Sequence, residues 1–182
     1  MNNLADTLRH LGDLQAAHEL HEQALTISRR VLGDDHPSTL WSMGSLAATF
    51  TDLGDPQAAR ELHEHALTGY RRILGDDHPD VLHAMNSFAE TLTLLGDLRA
   101  ARKLHEQALA GYRRVLGVDH PDTLWSMSNL AATLTELGDL RAACELQEQV
   151  LADRRRVLGD DHPDTLTAMN YLAAARKRLE DL

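Results

Sequence analysis

An all-α fold, an α-solenoid of tandem helix–turn–helix units, is predicted by two punctuation marks that share one period and by the apolar spacing between them. The nonapeptide LGDDHPDTL at 158–166 recurs with a single substitution at 116–124, 74–82 and 32–40, in steps of 42 residues. A second mark, LGD, keeps the same step at 11–13, 53–55, 95–97 and 137–139. A period of this length signals stacked units, each burying its apolar face on its neighbours. The 182 residues therefore read as one array and not as a conventional globular domain. The expected organisation is an incomplete first repeat at 1–31, full units at 32–73, 74–115 and 116–157, and a capping helix at 158–182.

The chain opens on MNNLADTLRHLGD, which aligns with MGSLAATFTDLGD from Met43, MNSFAETLTLLGD from Met85 and MSNLAATLTELGD from Met127. Met1 thus falls mid-repeat, and the half equivalent to 32–42 is missing before it. This register leads us to expect a fragment of a longer protein with a shortened first helix. Self-association through that end is also expected, because Leu20, Ala24 and their apolar neighbours lack a full covering helix.

Each full unit resolves into two helices. In 121–137, Leu124, Met127, Leu130, Ala131, Leu134 and Leu137 form one apolar stripe at helical spacing. Pro121 suits a first helical turn, Gly138 a C-terminal stop, and Asp139 an N-cap for the next helix. That second helix, about 140–157, buries Leu140, Ala143, Leu146, Val150, Leu151 and Val157, and Gly159 stops it. Pro56, directly after Asp55, stands where the missing N–H costs nothing. In the last unit Arg176 replaces the apolar Phe50, Leu92 and Leu134 of earlier units, and Glu180 replaces the stop glycine. The final helix is therefore expected to run on with a solvated outer face, as arrays end.

Composition narrows the function. Apolar residues make up 43% and aromatics 4%, so the core is built from Leu, Ala, Val and Met, a helix-favouring set. A formal net charge of −10 argues against a nucleic-acid or anionic-membrane binder and favours a neutral or basic partner. Cys144 is the only cysteine, so no intrachain disulfide forms and a reducing compartment, the cytoplasm, is expected. No basic region followed by an apolar run opens the chain, and no window approaches the roughly 18 apolar residues of a membrane span.

The hairpin LAATLTELGDLRAACELQEQVL at 130–151 resembles the tetratricopeptide repeat (TPR): a small residue after Leu, the LGD turn, and Ala143 four residues beyond Asp139. Its added length and the LGDDHP linker look like the 42-residue variety of kinesin light chains and many bacterial proteins. The resemblance implies a right-handed superhelix whose concave groove, lined by the first helix of each unit, holds a peptide or partner segment without catalysis. It also implies an alternative, because related bacterial arrays sit downstream of a nucleotide-binding switch domain and serve as its sensor.

With the stripe of each first helix facing the core, a different face carries Trp125, Ser128, Asn129, Ala132, Thr135 and Glu136, matched by Trp41, Gly44, Ser45, Ala48, Thr51 and Asp52 and by His83, Asn86, Ser87, Glu90, Thr93 and Leu94. This face corresponds to the family's groove. The candidate ligand-binding residues are Trp41, Ser45, His83, Asn86, Glu90, Trp125, Ser128, Asn129 and Glu136. Asn86 and Asn129 offer a donor and an acceptor to a peptide backbone, and Trp41 and Trp125 offer apolar platforms. The family's clamp for a terminal carboxylate needs Lys or Arg here, and the three central units have neither.

His36, His78, His120 and His162 each sit between aspartate and proline and invite a metal reading. They stand one repeat apart, on the order of 10–20 Å in stacked helical pairs, so turn structure is the better reading. HEQAL and HEHAL lack the second histidine of the HExxH signature. The arginine pairs closing the second helices, Arg29 and Arg30, Arg71 and Arg72, Arg113 and Arg114, then 154–156, suit the C-terminal dipole. No phosphate loop, nucleophile elbow or CxxC motif is present, so neither an enzyme nor a cofactor is expected.

Overall fold

The computed structural model describes residues 1–181. Among these the chain forms nine α-helices and no strand, and it divides into two compact units, Met1–Gly96 and Asp97–Leu182.

The first unit contains α1 (Asn2–His10), α2 (Leu14–Leu32), α3 (Pro37–Asp52), α4 (Pro56–Leu74) and α5 (Pro79–Leu94). Each helix packs on the next in sequence, and α3 also touches α1 and α5. Successive first helices of the repeats thus stand side by side, with the second helices behind them. Leu40, Met43, Ala47, Val81, Leu82 and Ala89 are buried to 1% exposure or less, and Met85, the counterpart of Met43, to 3%. The second unit contains α6 (Leu98–Val115), α7 (Pro121–Leu137), α8 (Leu140–Leu158) and α9 (Pro163–Glu180), again packed in order. Its core joins Leu109, Leu124, Met127, Leu130, Leu134, Val150, Ala168 and Leu172.

The joints follow helix grammar. His36, His78, His120 and His162 are N-caps, each accepting through Nδ1 from the backbone N–H two residues on, at 3.1–3.2 Å. A proline follows each at the first helical position. Asp13, Asp55 and Asp97 cap the second helices through the N–H three residues on. Asp139 departs from expectation. It occupies the N-cap but makes no side-chain cap bond, and its carboxylate instead lies 3.7 Å from Arg102 Nη1.

The arginine pairs divide their labour. The first member clasps its own linker, Arg29 to Asp34 at 2.9 Å, Arg71 to Asp76 at 3.1 Å and Arg155 to Asp160 at 2.9 Å. The second reaches back to the previous linker, Arg72 to Asp35 and Arg156 to Asp119. Arg176 turns outward to Glu148 at 2.7 Å, and Arg178 to Glu136 at 2.8 Å.

Two expectations about burial are corrected. Val157 is 45% exposed because α8 is ending there and the arginines around it face water. Ala24 is 6% exposed and Leu20 half-buried, since α1 packs on α2 even at nine residues. Among the apolar residues that remain open near this end are Leu4 at 58%, Ile27 at 42% and Val31 at 66%, together with Met1, Leu11 and Leu32.

Candidate functional site

Within the first unit a cleft of about 310 Å³ opens along α3. Its wall on one side is α1, with Asp6, Arg9 and His10; on the other it is α5, with Asp80, His83, Ala84 and Ser87. Leu40, Trp41, Gly44, Ser45 and Ala48 supply the α3 surface, and His63, Ala66 and Tyr70 reach in from α4 behind. The lack of bulk explains the hollow: Gly44, Ala48, Ala66 and Ala84 stand where longer side chains would fill it. A Cβ added at Gly44 would meet nothing within 4 Å.

Trp41 is 46% exposed and lies near His83, ring centroids 6.3 Å apart and planes inclined at 32°. His63 is 3% exposed and stacks on Phe88 at 6.4 Å. Burial, with a smaller contribution from His83, pushes its pKa down to about 4, so it is neutral at physiological pH. The Tyr70 hydroxyl donates to the Pro37 carbonyl at 3.2 Å, and burial and then the nearby Asp80 raise its pKa. Arg9 reaches Asp52 at 2.7 Å, so its charge is already engaged. Asp6 stands 3.4 Å from His21 Nε2. A smaller hollow of about 90 Å³ continues past Arg9, Ala48, His63 and Ser87 to Glu90.

Of the residues expected in the groove, Trp41, Ser45 and His83 meet at the main cleft and Glu90 lines the smaller hollow. Asn86 is fully buried. Asn2, which holds the same register in α1, donates to Ser42 Oγ of α3 at 2.9 Å. In the second unit Ser128 is 7% exposed and bonds the Leu124 carbonyl of its own helix at 3.1 Å. Glu136 is held by Arg178, while Trp125 and Asn129 are half-buried.

Sequence reasoning misses Asp6, Arg9 and His10, yet their signal is present. They share the registers of Ala48 and Glu90, Thr51 and Thr93, and Asp52 and Leu94, which the repeat pattern assigns to the groove in complete units only. His63, Ala66 and Tyr70 carry no such signal, because second helices are expected to lie wholly behind.

Hairpins of this kind, stacked through alternating first and second helices, define an α-solenoid repeat protein. The tetratricopeptide repeat profile matches residues 1–72 and 45–114, and a second tetratricopeptide repeat profile matches 123–164. The chain belongs to the tetratricopeptide repeat family. No curated protein matches the sequence. Among solved structures, two forms of the nearly identical TPR-like repeats of a putative kinesin light chain from Podosopora anserina, one of them a point variant, are each 32% identical. They cover 99% of this chain and 85% of theirs, with TM-scores of 0.86 and 0.85. BtubC (BKLC) from P. vanneervenii is 24% identical over 98% of this chain and 71% of that one, with a TM-score of 0.82, and shares the fold. The chain is thus of the kinesin light chain-like TPR type, a non-catalytic scaffold fold of the kind that mediates protein–protein interactions. No helix among the described residues is long and apolar enough to cross a membrane.

Proposed function

We propose that the chain is a non-enzymatic scaffold holding a peptide or a neutral-to-basic segment of a partner protein against its first helices, with the cleft along α3 as the principal seat. The observation that carries this reading is Trp41, an indole left 46% exposed over a hollow of about 310 Å³. A large aromatic open to solvent at the mouth of a preformed apolar cleft is the arrangement that anchors binding partners. Repeats 32–73, 74–115 and 116–157, with the partial unit 1–31 and the final helix, act in this reading as one array.

Selection of displayed peptides against the full chain tests the reading. Recovered peptides are expected to compete with one another and to lose about tenfold in affinity on Trp41→Ala, the usual cost of an aromatic anchor. A selection that yields no binder, or binders indifferent to both Trp41→Ala and His83→Ala, overturns it. We further propose that Leu4, Ile27 and Val31 associate with a second copy of the chain; sedimentation showing a strict monomer at high concentration defeats that part alone.

A further inference from the structure

We infer that the cleft along α3 takes an arginine side chain of the partner segment, its stem on the small apolar floor, its guanidinium on Trp41 and its charge facing Asp6 and Asp80. This rests on the peptide-groove reading and makes it specific.

Charge complementarity selects the occupant. Asp6 comes from α1 and Asp80 from α5, the helices on either flank of α3, so carboxylates meet an entering side chain from both sides. The side chain of Asp80 is 50% exposed, and its neighbour His78 Nδ1 stands 3.7 Å away, beyond hydrogen-bond distance. Arg9, which also lines the cleft, is bonded to Asp52 at 2.7 Å, so that pair is neutral and the two acids remain in excess. Asp6 also lies 3.4 Å from His21 Nε2, a histidine whose pKa burial lowers, which leaves Asp80 as the more open of the two carboxylates. His63 adds no positive charge either, as burial keeps it neutral above about pH 4. With a chain net charge of −10, an acidic segment is repelled both at a distance and at the cleft.

Shape and ring chemistry make the same selection. Ala48, Ala66 and Leu40 give an apolar floor on which methylenes lie while a charged head stays at the rim. A guanidinium is planar, stacks on an indole face and presents a fork of donors that matches a carboxylate. A purely apolar side chain would satisfy the floor but strip water from two carboxylates without replacing it.

Calorimetric titration of the full chain with four otherwise identical nonapeptides, bearing arginine, citrulline, leucine or glutamate at the centre of an Ala/Gly background, tests the assignment. Citrulline keeps the shape of arginine and removes the charge. The arginine peptide is expected to bind about tenfold tighter than the citrulline peptide, with the glutamate peptide weakest. Asp80→Asn should shrink the arginine preference to within about threefold, whereas Glu145→Gln, an equal change in net charge on the exposed face of α8, should leave it intact. Circular dichroism reports whether Asp80→Asn folds; if it does not, Trp41→Leu supplies the comparison, again with loss of the preference expected. Equal binding of arginine and citrulline peptides, or tighter binding of the leucine peptide, overturns the arginine assignment and leaves the peptide groove standing. Binding by none of the four overturns both.

Discussion

His63 and His105 are 3% and 1% exposed, and burial pushes the pKa of each down to about 4 from 6.5. Between those two values the unfolded chain binds protons that the folded chain refuses, so stability is full above about pH 6.5 and is lost as the pH falls toward 4. The loss is roughly 3 kcal/mol per histidine at most. Urea unfolding at pH 7.5 and pH 5 should show it, and replacing both with glutamine should flatten the difference. Gln147, 4% exposed in the same register of α8, shows that the repeat accommodates the amide. Two glycines separate packing from helix propensity at the same scale. A Cβ at Gly69 would stand 2.6 Å from Leu40 Cδ2, and Leu40 is fully buried, so Gly69→Ala is expected to cost about 1–3 kcal/mol. Gly44→Ala meets nothing and is expected to stabilise α3 by about 1 kcal/mol, while narrowing the cleft. Paired denaturant curves for the two variants decide both signs.

At the scale of elements, the joints carry the regularity. A histidine caps each complete first helix, and an arginine near the end of each of α2, α4 and α8 clasps the aspartate five residues on. One joint differs, because Val118 stands where Asp34, Asp76 and Asp160 stand elsewhere. There α6 ends at Val115, with Leu116 and not glycine as its C-cap. Val118→Asp should restore the clasp with Arg113 and raise the Tm by on the order of 1–2 °C, less at high salt, since an exposed ion pair contributes little. These elements were legible in the sequence because capping residues, prolines and stop glycines act locally, within one or two turns. Helix α7 has the expected bounds, Pro121–Leu137. The orientation of side chains beside the core stripe was not legible to the same degree. Asn86 and Glu90 differ by one helical turn, yet one is fully buried and the other exposed, a difference that helical spacing within one unit does not announce.

For the whole molecule, the 42-residue step fixed the family, while the cleft emerged only from the side-by-side placement of α1, α3 and α5. Asp6 belongs to an incomplete repeat and Tyr70 to a second helix, and neither position announces itself in one unit read alone. The buried histidines were equally hidden, since a histidine on an amphipathic helix carries no mark of the face it occupies. Their distribution across the chain is uneven: Met1–Gly96 holds His21 and His63 inside, whereas Asp97–Leu182 holds His105 and, in the next repeat, Gln147. Burial lowers the pKa of His21 as well, with Asp6 acting against it. Gln147 therefore gives the chain a direction in acid. As the pH drops from 6.5 toward 4, amide hydrogens of α2 and α4 should exchange with solvent before those of α8, and uniform exchange across the three helices would show that the glutamine has no such effect. A protein built on one repeated register would thus dissolve from one identifiable part, with a single amide setting where that melting front begins.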